Sequence, residues 1–132
     1  FYEYQISSQS SFYKQNDLFK SLKSLKKIKN VSTTTFDNFF TKKQKIDFCK
    51  IDVQGEELKV LEGMKKNLKN KKINLIKIEI SLIERYKNVK PNFFPILKFF
   101  NQYKYQLVSI SKIKYNNEKI LLMDVFFQYI DD

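Results

Sequence analysis

In the stretch KIDFCKIDVQGEELKVLEGMKKNL, Lys50 and Asp52 stand two residues apart at the close of an apolar run. Gly55 follows, and then Glu57 heads a helical pattern. Side chains two apart on a strand leave the same face, so a lysine and a carboxylate are set side by side. A second apolar run, INLIKIEIS, brings Glu79 near the corresponding end of its own strand. Lys50, Asp52, Glu57 and Glu79 thus form a candidate polar cluster, with the residue types for hydrogen-bonding or acid–base work on a ligand. A plainer reading stands beside it. Lys50 pairs with Asp52 or Glu79 because a buried charge needs a partner. Glu56 and Glu57 then only complement their helix dipole, at roughly 0.3–1 kcal/mol each.

The elements that must hold this cluster are read from the spacing of apolar residues. FYEYQIS is β-prone, and SSQSSFYKQN follows as a polar loop. From Asp17, a plausible cap, Leu18, Leu22, Leu25 and Ile28 recur at helical spacing. VSTTT reads as a short β-branched strand, after which Thr35 caps one helical turn with Asp37 in its first positions. In KIDFCKIDV the apolar residues Ile46, Phe48, Cys49, Ile51 and Val53 lie on both faces, the pattern of a strand covered on each side. A helix from about Glu56 to Lys69 carries Leu58, Leu61, Met64 and Leu68 on one stripe. Gly63 within it costs up to about 1 kcal/mol against alanine, for which close packing of helix on sheet is the expected reason. INLIKIEIS is a second covered strand, and PNFFPILKFFNQY a helix with Pro95 in its first turn. YQLVSIS and KILLMDVFFQYI are two strands joined through the polar turn KIKYNNEK.

From Lys45 the order is strand, helix, strand, helix, strand, strand. Alternation of this kind predicts an α/β fold: a mostly parallel sheet with right-handed crossovers and one antiparallel strand near the C-terminus. In open α/β sheets ligands lie beyond the carboxyl ends of the strands, where Asp52 stands and Gly55 lets the backbone turn tightly. No repeat and no Pro/Gly/Ser linker divides the 132 residues. They make one domain or part of one, long enough for a core.

Composition removes several classes of chemistry. With no histidine in the chain there is no histidine general base and no histidine-ligated metal. The single Cys49 excludes a disulfide scaffold and a cysteine-rich zinc site, so no metal is expected. One free thiol fits a reducing, cytoplasmic setting. The formal net charge of +11 rests on lysines spread from Lys14 to Lys119, with Arg85 as the one arginine. Base and phosphate readers lean on arginine's bidentate fork, so nucleic acid is not the expected partner. A solvated basic surface is the first reading of the charge, and a polyanion-binding module is the rival. No run approaches the roughly 18 apolar residues of a membrane span, and no secretory signal is present.

TTFDNFF, KIDFCKIDVQGEELKVLEGMKKNL and INLIKIEIS, taken in order, resemble the C-terminal half of FkbM-type methyltransferases. In that family a Thr-Leu-Asp-Asp-like segment precedes a strand reading roughly Lys-Ile-Asp-Val-Glu/Gln-Gly-x-Glu. A Val-Leu-x-Gly helix follows, then a strand ending in Glu. Here Thr35, Asp37, Lys50, Asp52, Gln54, Gly55, Glu57, Leu61, Gly63 and Glu79 fall on those positions. The two closing strands are also similar to the family's last two, and SSQSSFY to its Ser-Ser loop. Asn38 and Glu56 depart from the pattern, standing where a second acid and a small or apolar residue are common.

The resemblance implies a Rossmann-like class I methyltransferase fold. It implies S-adenosylmethionine as methyl donor and a hydroxyl on a sugar, glycan or secondary metabolite as acceptor. Asp52 would then be the catalytic carboxylate, orienting the hydroxyl and taking its proton. An unperturbed Asp, with a pKa of about 3.9, is a poor base for an alcohol, so burial or a bound cation would help. Lys50, Gln54, Gly55, Glu57 and Glu79 would face the substrate, a small molecule or glycan. With glycines only at 55 and 63, the chain lacks the family's glycine-rich cofactor loop. That loop and the ribose-holding acid are expected upstream, which makes this chain the C-terminal part of one domain, a weak cofactor binder by itself. A remnant that keeps the fold without the chemistry is a third reading.

Overall fold

The computed structural model describes residues 1–4, 10–16, 25–41 and 43–130. At the N-terminal side β1 (Tyr2–Tyr4) pairs antiparallel with β2 (Leu25–Ile28). Part of the helix expected from Asp17 lies outside the described residues, and its remainder is this strand. Leu25 and Ile28 are exposed, so their helical spacing marks no buried stripe. Val31–Thr35, expected as a strand, is exposed chain without a ladder partner among the described residues. Thr35 does cap one turn, α1 (Phe36–Phe39), accepting the Asn38 N–H at Oγ1 over 3.2 Å.

Next come β3 (Ile46–Ile51), α2 (Glu57–Glu62) and α3 (Lys65–Lys69). The helix expected over 56–69 is thus two short ones, broken at Gly63 and Met64. The break is set from outside. Gly63 O accepts the Asp37 N–H at 2.9 Å, and a Cβ on Gly63 would stand 3.2 Å from Thr35 Cβ. The small residue is needed against α1, not against the sheet. Asp37 also caps α3: Lys66 N–H donates to its Oδ2 at 2.8 Å, and Asn67 N–H to its Oδ1 at 3.0 Å. Its carboxylate serves a later helix than its own.

β4 (Ile73–Ser81), α4 (Phe93–Gln102), β5 (Tyr105–Asn116) and β6 (Lys119–Tyr129) complete the order, each near its expected place. Pro95 sits in the first turn of α4, where its missing N–H has no helical partner to lose. β5 runs through most of the polar stretch expected as a turn, with irregular register at three points.

The strand order β3-β4-β6-β5 corrects the expected sheet. Only β3 and β4 pair in parallel; β4 with β6 and β5 with β6 are antiparallel. The fold is therefore a small, β-rich one with a mixed, mostly antiparallel sheet, not a mostly parallel Rossmann-like α/β sheet. The physical reason is where the hairpin strand goes. β6 does not add at the outside; it inserts between β4 and β5 and turns what would be parallel neighbours into two antiparallel ladders. Period-2 patterning reports which face is buried and carries nothing about lateral order.

One face of the sheet carries the core. Ile76, Ile78 and Ile80 of β4 lie opposite Phe127, Val125 and Met123 of β6. They cluster with Leu61, Met64 and Leu68 from the short helices and with Ile96 and Phe100 from α4. Burying each such side chain is worth roughly 1.5–3 kcal/mol, so this layer fixes the sheet. The other face bears Phe48, Lys50, Lys77, Glu79 and Asp124 in the same registers. β3 is consequently not covered on each side as expected: Phe48 is 50% exposed, and the strand forms one edge of the sheet. Among the described residues no helix is long and apolar enough to cross a membrane.

Candidate functional site

β3 ends at Ile51, and the chain leaves the sheet through Asp52, Val53, Gln54 and Gly55. Asp52 is held on both oxygens. Lys50 Nζ donates to Oδ2 at 2.9 Å and Gln54 Nε2 to Oδ1 at 2.6 Å, while the side chain stays 31% exposed. Burial alone would raise its pKa, but the hydrogen bonds from Lys50 and Gln54 and the charges of Lys50 and Arg85 outweigh it. The carboxyl therefore lies below its ordinary range and is ionised at neutral pH. That is the opposite of what a strong proton acceptor needs, and it suits a fixed negative pole that orients a donor.

Gln54 is the hub. Its backbone is left-handed, φ 53°, unusual outside glycine. Four hydrogen bonds keep it there. Nε2 donates to Asp52 and, at 3.2 Å, to Glu79 Oε1; Oε1 accepts Tyr86 Oη at 2.6 Å; the backbone carbonyl accepts Ser11 Oγ at 2.7 Å. Strained backbone persists where surroundings over-determine it, and such places cluster at functional sites. Ser11 also accepts Tyr13 N–H, so the described end of the serine-rich loop is tied to this turn.

Gly55 has φ 112°, and a Cβ there would meet Tyr13, Val89 and Tyr86 at 3.3 to 3.6 Å. Its N–H donates to Glu57 Oε1 at 3.0 Å. Glu57 is buried, and its other oxygen accepts Asn92 Nδ2 at 3.3 Å. Burial pushes the Glu57 carboxyl up, further than its hydrogen bonds from Gly55, its own backbone and Asn92 pull it down. Glu79, on the β4 neighbour, accepts from both Gln54 and Arg85, the latter at 3.1 Å. The structure so joins Lys50, Asp52, Gln54 and Glu79 in one chain of contacts. Gly55 and Glu57 form the turn beneath it.

Three members were not foreseen: Arg85, Tyr86 and Asn92. They come from the irregular segment between β4 and α4, which has no periodicity to read. Arg85 carried one signal, being the single arginine in a lysine-rich chain. A larger groove, about 760 Å³, lies apart from these residues, between Phe12, Thr33–Phe36, Phe39 and α2. Among the described residues no three His, Cys, Asp or Glu side chains gather to hold a metal ion.

A strand-end carboxylate braced by a lysine, a glutamine and a tight glycine turn is an arrangement for positioning a ligand, and comparison with known proteins names its class as a methyltransferase. The family model of the methyltransferase FkbM domain matches residues 1–107, and the chain belongs to that family. The match ends inside β5, so β6, central in the sheet, lies beyond it. Searches of curated proteins and of solved structures returned no match.

Proposed function

We propose that this chain supplies the acceptor-facing residues of a methyltransferase that transfers a methyl group to a hydroxyl of a sugar, glycan or secondary metabolite. The single observation behind this reading is Asp52: ionised, fixed on both sides, and open to solvent at the end of β3. A hydroxyl donating to it is held in one orientation. Holding a reacting oxygen in place is itself worth several kcal/mol in a displacement reaction. Gln54 and Lys50 keep the carboxylate from turning away, and Arg85, through Glu79, keeps Gln54 facing it.

The family's methyl donor is S-adenosylmethionine, which when bound supplies an electrophilic methyl. The residues described in this chain do not form a cradle for it. Of the two glycines, Gly63 is packed on Thr35 and Gly55 is closed by Tyr13, Tyr86 and Val89, its N–H already taken by Glu57.

Two measurements test the reading. Calorimetric titration of the chain with S-adenosylmethionine is expected to show nothing tighter than about 1 mM; a micromolar site would refute the lack of a cradle. In any preparation that transfers methyl groups, Asp52→Asn should lower kcat about 10²-fold, through lost orientation of the hydroxyl, while leaving the fold unchanged. Turnover close to that of the unaltered protein would remove Asp52 from the reaction.

A further inference from the structure

Between the β3 turn and the segment leading into α4 lies a small cavity of about 20 Å³, lined among others by Gln54, Glu57, Glu79, Arg85, Tyr86 and Asn92. A water needs roughly 10–15 Å³ of such space, so there is room for one hydroxyl-sized group. The wall is rich in acceptors. Glu57 and Glu79 are carboxylates, and Gln54 Oε1 is already filled by Tyr86.

Asn92 is the telling residue. It is 8% exposed, and its Nδ2 donates to Glu57 Oε2. With the amide nitrogen on Glu57, Oδ1 faces elsewhere. That Oδ1 is buried and has no partner among the described residues. A buried carbonyl left without a donor costs about 1–3 kcal/mol. The same residue lines a polar cavity of the right size for a donor.

We propose that this cavity is a binding site for a single hydroxyl group, which donates to Asn92 Oδ1. The group is either solvent water or the hydroxyl of a small alcohol, and the chemistry recognised is the same. Asp52 does not line the cavity, so the site stands whether or not the chain takes part in methyl transfer.

Crystals of the 132-residue chain at atomic resolution decide it, one set grown without polyol and one soaked in ethylene glycol. An oxygen about 2.7–3.2 Å from Asn92 Oδ1 is expected in the first set. In the soaked set, carbon density joined to that oxygen identifies the alcohol as occupant, and an isolated oxygen identifies water; either supports the site. An empty cavity would overturn it, as would the ammonium of Lys90, which also lines the cavity, on Oδ1, or an amide turned so that Oδ1 meets a protein donor. In Asn92→Leu the oxygen should vanish, and its persistence would deny Asn92 the role. Should that variant not fold, the wild-type crystals decide alone.

Discussion

Tyr86 Oη donates to Gln54 Oε1 at 2.6 Å, and that bond decides which end of the Gln54 amide faces Asp52. With the oxygen engaged, the nitrogen must point at the two carboxylates, Asp52 and Glu79. A tyrosine that touches neither carboxylate through its own hydroxyl thereby sets the hydrogen bonding of both.

Tyr86→Phe is expected to cost about 1–2 kcal/mol in urea unfolding, the loss on leaving a partly buried acceptor unpaired. It should also move the Asp52 titration upward, because the freed amide no longer holds its nitrogen on Oδ1. Carboxyl chemical shifts followed by NMR report that titration. An Asp52 curve identical in the two proteins would deny Tyr86 its orienting role.

For Glu57 the sign of the pH effect is fixed by burial. Folding raises its pKa above the ordinary 4.5, so its ionised form is the disfavoured one in the folded chain. The resulting cost is absent at pH below the unfolded value and grows as pH climbs through the folded value. Glu57→Gln keeps an acceptor for Gly55 N–H and removes the titration. The variant should gain stability relative to the parent between pH 4 and pH 7, measured by denaturant unfolding at both. A difference that does not change with pH would contradict the assignment.

Asp37→Ala tests the reach of a carboxylate from α1 to α3. Two backbone N–H groups lose their acceptor, so unfolding should become easier by about 1–2 kcal/mol. Hydrogen exchange at Lys66 and Asn67 should quicken more than at Ile76 in the core. Uniform quickening would mean that Asp37 acts on the whole fold and not on that helix start.

Gly63→Ala carries no backbone strain, since φ there is −74°. Its new Cβ meets Thr35 at 3.2 Å, and Thr35 is held by its cap to Asn38 and by the Asp37–Gly63 bond. Overpacking of this kind costs about 1–3 kcal/mol, against a helix-propensity gain of at most about 1. Calorimetry should show a lower Tm. An unchanged or higher Tm would show that α1 yields easily.

Legibility in the sequence followed burial. β4 stands where INLIKIEIS places it because alternate isoleucines meet the core, and Leu61, Met64 and Leu68 form the expected stripe. Leu25 and Ile28 misled because apolar spacing informs only when the residues are buried, and these are not. Val31–Thr35 has the β-branched composition of a strand but no ladder neighbour among the described residues. The break at Gly63 depends on Thr35 and Asp37, far back in the chain, and no local window contains both. At the site, the Lys50–Asp52 pair was legible because strand geometry alone brings i and i+2 together. Tyr86 and Asn92 reach their partners only through an irregular loop, whose path tertiary packing sets.

The place of β6 between β4 and β5 also governs when the molecule can exist as such. A nascent chain that has already made β3, both short helices, β4, α4 and β5 still owns just one ladder of its main sheet, because neither β4 nor β5 pairs with the other. Both wait for the strand synthesised after them. During that interval Ile76, Ile78 and Ile80 lack the neighbours opposite them, Phe127, Val125 and Met123. Until that strand joins, the chain carries a half-made, apolar surface, and closure of these distant pairings is the slow event to expect in folding.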